Sequence, residues 1–459
     1  MRDDRNGRKR SDTSTFCSLL NRIIIRPVAV LAVTGFVFGA KAADSSEFSP
    51  DRTTVLGDAE ALRVIAKEVA LRDGPSLSAH RRGTLRLGAE VWASRRATAE
   101  DCPLGWLLIG PAAWACDEDR IFDGRREVHG SPSNEPDTLE FVRVGEQGAL
   151  GYASFQRAEQ GLPEAELQPG FYVGIAEKKQ LGAEQYLRTT HGIWLLASQV
   201  RRLTPSTFEG RVLEGLELDR TLLPHLPIGW IYVDGARGMR DPGLSPIGPT
   251  LRRLSEVHIH EHRRGKDKLN WYRTDTGWLS ERSLRVPSLA ETPVPDAAAN
   301  GSYIDVNTAT QTLVAYRLGV PWFATMVSTG RGPANSGQET PKGEHRIWVK
   351  LLSSDMDNLD EQEHLSHDNL LKISSESITT TSNLYAVEAV PWVQYFSEGY
   401  GLHATYWHDN FGVPKSHGCV NLSLRDARRL FEVTRPKLGP GWQAALPSSY
   451  DPGTIVRVR

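Results

Sequence analysis

The sequence predicts a mainly β protein whose C-terminal part is a mostly antiparallel sheet domain. Tyr303–Asn307 alternates apolar and polar side chains, and residues 312–316 follow after a short polar turn, so the two segments are predicted to pair as a hairpin. Residues 320–329 and 344–351 have the same strand-forming composition, and the turn Thr340-Pro341-Lys342-Gly343 lies between them. Together these segments predict a sheet built from short sequential strands.

One clear helix is predicted near the C-terminus, shortly after Cys419. Ser423 is a favourable N-cap with Asp426 three positions later. An apolar stripe follows at helical spacing, made of Leu424, Ala427, Leu430 and Phe431. Because partial positive charge collects at a helix N-terminus, a thiol close to it can gain thiolate character.

The upstream part of the chain is predicted to contain smaller units, with the main domain boundary in a proline-rich linker at residues 288–300. Two segments, 84–125 and 226–287, each combine a strand, a basic turn and tryptophans on successive short strands. We expect residues 43–83 to contain a helix, since apolar residues between 58 and 71 fall largely on one helical face. Residues 126–225 are predicted to be a mixed α/β region and are not assigned further.

Composition and charge limit the classes of function that the chain can have. The chain has 459 residues, of which 39% are hydrophobic and 24% are charged, so it can bury more than one apolar core. Its formal net charge is −2, and its basic residues are scattered outside the extreme N-terminus. No overall field favours a nucleic acid partner, and none is predicted.

The N-terminus has the pattern of a targeting segment. A basic region that ends at Arg26 precedes an apolar run at residues 27–40, which is followed by the small-x-small sequence Ala40-Lys41-Ala42. The run is short for a membrane span. Residues 1–42 are therefore predicted to be a cleaved signal peptide, with an uncleaved N-terminal anchor as the alternative. Either way the remaining chain is expected in the periplasm or cell envelope, without a further integral membrane domain.

Cysteine usage fits an exported protein. Cys17 lies in the targeting segment, which leaves Cys102, Cys116 and Cys419 in the mature chain. Cys102 and Cys116 flank an apolar segment that could fold as a hairpin, so a disulfide between them is predicted, with two buried free thiols as the alternative. A bridge would leave Cys419 unpaired.

The segment around Cys419 contains the groups that nucleophilic catalysis needs. A thiol attacks as a thiolate and requires a base, and His417 and His403 are both candidates. Gly418 allows backbone N–H groups to approach a reacting carbonyl oxygen. Two other interpretations stay open: an inert buried thiol with His417 as a core hydrogen-bonding residue, or a zinc site. The zinc ligands would be His403, His408, His417 and Cys419.

Here the chain resembles a known family. Ser416-His417-Gly418-Cys419-Val420-Asn421, with His403 upstream, resembles the active-site signature of YkuD-type L,D-transpeptidases, and residues 340–343 resemble the family's Thr-Pro-x-Gly turn. The resemblance covers about residues 301–459 and implies a β-sandwich-like catalytic domain there. Ala404 is a departure, since the family usually has Gly or Ser after the upstream histidine; Asn421 occupies a position that is Arg or Asn in different members.

The resemblance also implies roles for these residues. Cys419 would be the nucleophile and His403 its proton acceptor and donor, with the carbonyl of Ala404 orienting the imidazole. Ser416 and His417 would shape the pocket, and the amides of Gly418 and Cys419 would lie near the oxyanion. The remaining candidates are possible substrate-lining residues, of which the first two could instead simply pack the loop: Tyr406, His408 and Asn421.

The implied partners are peptidoglycan stem peptides, as acyl donor and acceptor, and no cofactor is implied. Hydrolysis by the same residues, as a carboxypeptidase or endopeptidase, is one alternative, and a non-catalytic cell-wall binding protein is another. The 226–287 segment resembles bacterial SH3-like barrels, which often occur beside cell-wall enzymes, and residues 84–125 share its pattern. Three alternating histidines on a predicted strand could share a face and bind a metal, or form a solvated polar face: His258, His260 and His262.

Overall fold

The computed structural model describes residues 53–118, 121–124, 136, 139–292, 294, 301–333, 336–357 and 386–459, and for residues 53–60 and 123–124 it describes the backbone alone. The described residues fall into two compact units. The first belongs to Met1–Ser131, Asp357–His367 and Gly439–Gln443, and the second to Pro132–Met356, Asp368–Leu438 and Ala444–Arg459. Strands dominate both units, so the prediction of a mainly β protein is confirmed.

The first unit is an antiparallel β structure. Its strands are β1 (Thr53–Val64), β2 (Val69–Arg72), β3 (Arg81–Leu85), β4 (Glu90–Ala99), β5 (Cys102–Gly110), β6 (Ala113–Cys116) and β7 (Phe122–Gly124). β1 pairs with β4 and β7, β2 pairs with β3 and β6, and β5 lies between β4 and β6. Cys102 and Cys116, which begin β5 and end β6, form a disulfide with 5.7 Å between their Cα atoms, so that prediction is confirmed.

The predicted helix in residues 43–83 is wrong. β1 and β2 cover most of residues 58–71, and in β1 the buried Leu62 and Val64 alternate with the exposed Ala61 and the half-buried Arg63. That alternation has the period of a strand. Ile65, which a helix would have buried with the other apolar residues, lies between the strands and is 44% exposed. Over so short a segment the apolar spacing fits the period of a helix and the period of a strand. Pairing with neighbouring strands decides in favour of the strand.

The second unit begins with a small β module at residues 139–203. Its elements are β8 (Glu140–Val144), β9 (Ala149–Tyr152), α1 (Phe155–Glu159), β10 (Ala165–Leu167), β11 (Tyr172–Leu181), β12 (Glu184–Thr189), β13 (Trp194–Leu196) and β14 (Val200–Arg202). β8 pairs with β11 and β14, and β11, β12, β13 and β9 pair in succession. The mixed α/β prediction for residues 126–225 is therefore wrong for the described part, where α1 has five residues. Turns such as the one at Gly182, with φ of 59°, favour hairpins instead.

A second module occupies residues 226–287, after the short strand β15 (Arg211–Val212). It contains β16 (Ile228–Ile231), β17 (Glu256–His258), β18 (Glu261–Arg264), β19 (Asn270–Thr274), β20 (Gly277–Ser280) and β21 (Leu284–Arg285). β16 pairs with both β17 and β21, and β18, β19 and β20 form a meander. The strand that was expected to carry three histidines on one face is interrupted between His258 and Glu261, so that expectation is wrong.

The C-terminal domain contains two sheets around one apolar core. Its elements are β22 (Tyr303–Asn307), β23 (Thr312–Arg317), β24 (Val320–Met326), β25 (Gly343–Arg346), β26 (Val349–Asp357), β27 (Ala386–Ser397), β28 (Tyr400–Ala404), β29 (Val420–Leu422), α2 (Leu424–Val433), β30 (Trp442–Ala445) and β31 (Ile455–Val458). The predicted hairpin is β22–β23, which pairs Tyr303 with Tyr316. One sheet has the order β15-β24-β23-β22-β31-β25, and the other includes β27, β28 and β29. Both predictions, the hairpin and the β-sandwich-like architecture, are confirmed.

The core of this domain positions β28 and β29. Val306 of the first sheet, Leu402 and Val420 of the second, and Leu430 of α2 are all fully buried in one apolar cluster. Ser423 caps α2 by accepting a hydrogen bond from the N–H of Asp426, as predicted. The helix thus fixes the strand that directly follows Cys419.

The segment at residues 288–300 does not separate the domains. Leu289, Ala290 and the buried Val294 pack into an apolar cluster that also contains Trp230 of the second module and Tyr303 of β22. β15 adds to the sheet of the C-terminal domain through β24. The described residues of this segment pack against the core, so the predicted domain boundary is not found at this point.

Candidate active site

Two parallel strands bring the catalytic candidates together. β28 and β29 are parallel neighbours, in which His403 lies opposite Asn421 and Leu402 opposite Val420. Paired residues point to the same face of a sheet, so the imidazole and the Asn421 amide share one face. Cys419 directly precedes β29, and its Sγ lies 4.0 Å from the carbonyl oxygen of Gly399, just before β28. The thiol and the imidazole are thus carried by adjacent parts of the same strand pair.

His403 is held as a neutral base. Its side chain is buried, and Nδ1 lies 2.9 Å from the carbonyl oxygen of Ala404. A carbonyl only accepts, so Nδ1 carries the proton and Nε2 presents its lone pair. Burial lowers the pKa of His403 to about 4, against the opposing effect of the bond to Ala404. The carbonyl contact is the one expected from the resemblance, and because it uses backbone, Ala404 serves it as well as glycine.

Cys419 rests as a thiol. It is buried, and among the described residues it is the free cysteine. Burial raises its pKa to about 11, while the N–H of Gly401 acts in the opposite direction. The resting site therefore holds a neutral thiol beside a neutral imidazole, and attack on a substrate carbonyl requires a proton to leave the sulfur as the new bond forms.

The turn before Cys419 requires glycine and is fixed by Ser416. Gly418 has φ of 126°, and a Cβ there would lie 2.2 Å from a ring carbon of Tyr400. The Ser416 hydroxyl donates to the carbonyl of Cys419 over 2.5 Å and accepts from the N–H of Gly418 over 3.1 Å. The Gly418 amide was expected near the oxyanion, but in this resting structure it is engaged by Ser416.

His417 contacts a neighbouring segment. Its Nε2 lies 2.8 Å from an Arg331 guanidinium nitrogen. Burial lowers the pKa of His417, and the adjacent Arg331 charge lowers it further. The same segment pairs with the turn through Gly330 and Ser416, and through Ser328 and Asn421. His417 thus helps to hold the turn at residues 416–419 against residues 328–331.

His408 and Asn421 form a buried polar pair. The N–H of Asn410 donates to Nδ1 of His408 over 3.2 Å, so the neutral ring carries its proton on Nε2. The structure places the amide nitrogen of Asn421 3.0 Å from that Nε2, and the amide oxygen is the buried atom with no hydrogen-bond partner in the described part of the chain. Two N–H groups would then face each other, so we assign the amide in its flipped orientation, in which the oxygen accepts from Nε2 and the NH2 group takes the unpartnered position. Asn421 therefore presents a donor on the same face as His403.

Tyr406 packs the loop instead of lining an open channel. Its ring is stacked on Phe141 with 3.8 Å between centroids, and its hydroxyl donates to the carbonyl of Glu388 over 2.7 Å. Burial raises the pKa of Tyr406. Of the two interpretations left open for this residue, the structure favours packing.

The two metal hypotheses are not supported by the geometry. Within the described ranges, no group of three or more histidine, cysteine, aspartate or glutamate side chains is arranged to hold a metal ion. His262 stacks against Tyr272 and faces His225, whereas the ring of His260 pairs with Asp275. The histidines near Cys419 take the separate partners described above.

Tyr400 was missed by sequence reasoning. Its ring covers Gly418, and its hydroxyl donates to the carbonyl of Gly337 over 3.1 Å. This contact joins the start of β28 to a loop far away in sequence, and no local pattern indicates it. Trp407 was also missed; its ring is stacked on His403 with 6.0 Å between centroids.

The targeting segment at residues 1–42 lies outside the described residues. Among the residues that are described, no helix has the length and hydropathy needed to cross a bilayer.

Comparison with known proteins identifies the C-terminal domain. Residues 301–458 match the family model of the YkuD L,D-transpeptidase catalytic domain. No curated protein matches the chain. Similar solved structures include an Enterococcus faecium L,D-transpeptidase mutant, at 19% identity over 34% of this chain and 49% of that chain, with a TM-score of 0.23. The match thus spans about half the length of that protein.

Two further structures are similar over the same share of this chain. The L,D-transpeptidase of Stackebrandtia nassauensis is 25% identical over 34% of this chain and 55% of that chain, with a TM-score of 0.20. The catalytic domain of the Enterococcus faecium enzyme acylated by ertapenem is 19% identical over 34% of this chain and 96% of that chain, with a TM-score of 0.23. From the family match, residues 301–458 of this mainly β protein form a YkuD-type L,D-transpeptidase catalytic domain.

Proposed function

We propose that the protein is a peptidoglycan L,D-transpeptidase that forms cross-links through an acyl-enzyme on Cys419. The observation that carries the proposal is the arrangement of His403, whose Nδ1 bond to Ala404 fixes a free Nε2 lone pair on the strand beside the buried thiol. The family match and this tautomer together supply a nucleophile, a base and a means of orienting the base.

The first half-reaction would take a tetrapeptide stem as donor. The Cys419 sulfur attacks the carbonyl of the third residue while its proton passes to Nε2 of His403. The tetrahedral intermediate collapses, the peptide bond breaks, and the departing amine of the terminal D-Ala takes the proton from the imidazolium. The product is a thioester on Cys419 with a neutral His403.

The second half-reaction would use an amine on another stem. The amine attacks the thioester carbonyl, His403 accepts its proton, and the sulfur leaves and recovers that proton. The Cys419 side chain is buried in the resting structure, and a site that excludes water favours an amine over hydrolysis. The buried NH2 of Asn421 would donate a hydrogen bond to the substrate in either step.

Export and the domain type of the upstream modules are also part of the proposal. The N-terminal segment would direct the chain to the periplasm or cell envelope, where stem peptides are found. For SH3-like modules the support is the topology of residues 226–287, in which the first and last strands, β16 and β21, pair antiparallel and close the unit. For residues 84–125 the tryptophan pattern is the one observation that supports an SH3-like module.

The test is incubation of the mature chain with purified tetrapeptide and acceptor stems, with products identified by mass. Cross-linked dimers with loss of D-Ala are expected from the wild type and none from Cys419→Ala. Cys419→Ser is the matched control, because it replaces the thiol with a hydroxyl of similar size. This variant should fold normally and should lose the same activity. Shortened stems without dimers would show that the enzyme hydrolyses the donor and does not transfer it. Absence of both products would overturn the proposal.

A further inference from the structure

The loop that joins the catalytic histidine to the catalytic cysteine, residues 405–418, contacts both upstream modules. On one side it meets the module at residues 139–203. The Tyr406 ring is stacked on Phe141 at a 13° angle, and the Tyr172 ring lies 6.2 Å from the ring of Trp407. Phe141 is buried, whereas Tyr172 and Trp407 are both partly exposed. The chain between the two reacting groups is therefore packed against residues far upstream of the catalytic domain.

This contact reaches the base itself. The Trp407 ring is stacked on the His403 imidazole at 24°, with 6.0 Å between centroids. Tyr172, Trp407 and His403 thus form a series of neighbouring rings, the first of which comes from the upstream module. The Ala404 carbonyl fixes one edge of the imidazole, and the Trp407 ring lies nearly parallel to its face, with 6.0 Å between the ring centroids. Movement of Trp407 would release that face.

The module is itself fixed to the catalytic domain. Tyr172 pairs in parallel with Val387 of β27. Two residues further along β11, a Cβ on Gly174 would lie 3.1 Å from the Cβ of Ala389, so the strands approach closely. An ion pair adds to this interface, since His191 Nε2 lies 2.9 Å from a carboxylate oxygen of Asp355 in β26. The backbone of Tyr172 is therefore fixed by its pairing with β27, and this pairing also sets the position of the Tyr172 ring.

The other side of the loop meets the module at residues 226–287. Arg253 donates from its guanidinium to the carbonyl of Asp409 over 2.9 Å and also pairs with the Asp409 carboxylate. Arg285 donates from Nε to the carbonyl of Gly412 over 2.8 Å. A Cβ on Gly412 would lie 2.6 Å from Tyr232, so this position of the loop fits only glycine. Contacts with the two modules therefore hold the loop at residues 406–407 and again at residues 409–412.

We propose that the two upstream modules clamp the 405–418 loop, and that Tyr172 is a positioning residue that acts through Trp407 to fix the His403 imidazole. The upstream region would then be a working part of the active site and not a tether to the cell wall. The inference rests on the proposed function, because it takes His403 to be the base. It assigns no contact with substrate to Tyr172.

The test removes the Tyr172 ring and observes His403 directly. Tyr172→Ala and Tyr172→Leu both lack the ring, and the leucine variant keeps an apolar side chain on β11 in case the alanine variant does not fold. Tyr172→Phe keeps the ring and is the rescue variant. Leu150→Ala, at an exposed position of β9 in the same module, is the matched control.

The first readout is the His403 titration, followed by side-chain nitrogen NMR on the full mature chain. Burial holds this pKa near 4, so a loosened Trp407 should admit water and raise it toward the ordinary value of 6.5. The shift is expected in Tyr172→Ala and Tyr172→Leu, and neither in Tyr172→Phe nor in Leu150→Ala. A variant that only destabilises the fold would lower the melting temperature without moving this pKa.

The second readout is the rate at which a carbapenem acylates Cys419. We expect about a tenfold loss in the two ring-less variants, because small misplacements of a reacting group cost rate steeply. An unchanged His403 pKa with wild-type acylation in Tyr172→Leu would overturn the clamp. If wild-type protein forms no adduct, the proposed function fails, while the titration still decides the positioning role independently.

Discussion

Two imidazoles in the same unit, the buried His403 and the partly buried His191, have opposite charge states. His403 donates from Nδ1 to the backbone carbonyl of Ala404, and its pKa is lowered to about 4. His191 lies 2.9 Å from the Asp355 carboxylate and 4.0 Å from the Glu388 carboxylate, and its pKa is raised to about 9. At neutral pH the first is an uncharged base and the second is a cation.

The opposite directions of the two pKa shifts come from the partner groups. Burial disfavours the cation at both sites. A carbonyl dipole cannot offset that penalty at His403, whereas the full charge of Asp355 more than offsets it at His191. Glu388 stays protonated at neutral pH, because burial raises its pKa to about 8, so the His191 site holds one pair of opposite charges. The chain thus uses one residue type as a movable proton site and as a fixed structural charge.

Among substitutions that test this difference, the largest expected effect is the loss of acylation rate when His403 is replaced. His403→Ala should slow acylation of Cys419 about 10²–10⁴-fold, since that is the usual cost of losing a positioned base. His417→Ala is the matched control: its ring lies against Arg331, and the loss should be small. Rates are measured with a carbapenem by intact mass. A mild His403→Ala together with a severe His417→Ala would move the base to His417.

His191 should respond in stability. His191→Gln removes the cation of a partly buried ion pair, which should lower the free energy of unfolding by about 1–3 kcal/mol at neutral pH. Urea unfolding followed by circular dichroism measures this. The control is His260→Gln, whose partner Asp275 is exposed, and a change of about 0–1 kcal/mol is expected there. Equal losses in the two variants would contradict the contrast.

The two imidazoles should also shape opposite limbs of the stability–pH curve. The raised pKa of His191 contributes stability that is fully present below 6.5 and is lost as pH rises through about 9. The lowered pKa of His403 contributes stability that is present above 6.5 and is lost as pH falls through about 4. The raised pKa of Glu388 likewise contributes stability that is fully present below 4.5 and is lost as pH rises through about 8.

Unfolding free energies measured from pH 4 to pH 10 should therefore fall at both ends. His191→Gln should flatten the alkaline limb and leave the acid limb unchanged. An alkaline limb that is the same in wild type and variant would show that another group carries it.

The smallest effect is expected at His408. Its ring donates to Asn421 and does not contact Cys419 in the described structure, so His408→Ala should reduce acylation less than tenfold. Burial, followed by the charge of Lys415, lowers its pKa to about 4, so the ring is neutral and no charge is lost with it. Steady-state and single-turnover rates with a carbapenem test this. A loss as large as that of His403→Ala would make His408 part of the base.

The turn that carries Cys419 was predictable because its sequence pattern is local and its geometry follows from it. Cys419, Gly418 and Ser416 lie in one turn, and the structure explains each by a contact within that turn. The disulfide and the Ser423 cap follow from spacing in the same way. The Gly418 amide was placed in the oxyanion site, but its N–H is engaged by Ser416.

What could not be predicted depends on contacts between distant segments. Val294 sits in a proline-rich stretch that has the composition of a linker, yet it is buried against residues from both sides. Tyr172 is an ordinary strand residue in sequence, and only the pairing of β11 with β27 brings it to Trp407. The residues at 58–71 fit two periods equally over a short span, and neighbouring strands decided between them.

The most direct test of the account is the mass of the protein after reaction with a carbapenem, with the modified peptide located by proteolysis. The family resemblance suggests this class of acylating probe. The account predicts one adduct on the wild-type chain, on the peptide that contains Cys419, and none on Cys419→Ala. An adduct of the same mass on Cys419→Ala, or on a different peptide of the wild type, would contradict the assignment of Cys419 as the nucleophile.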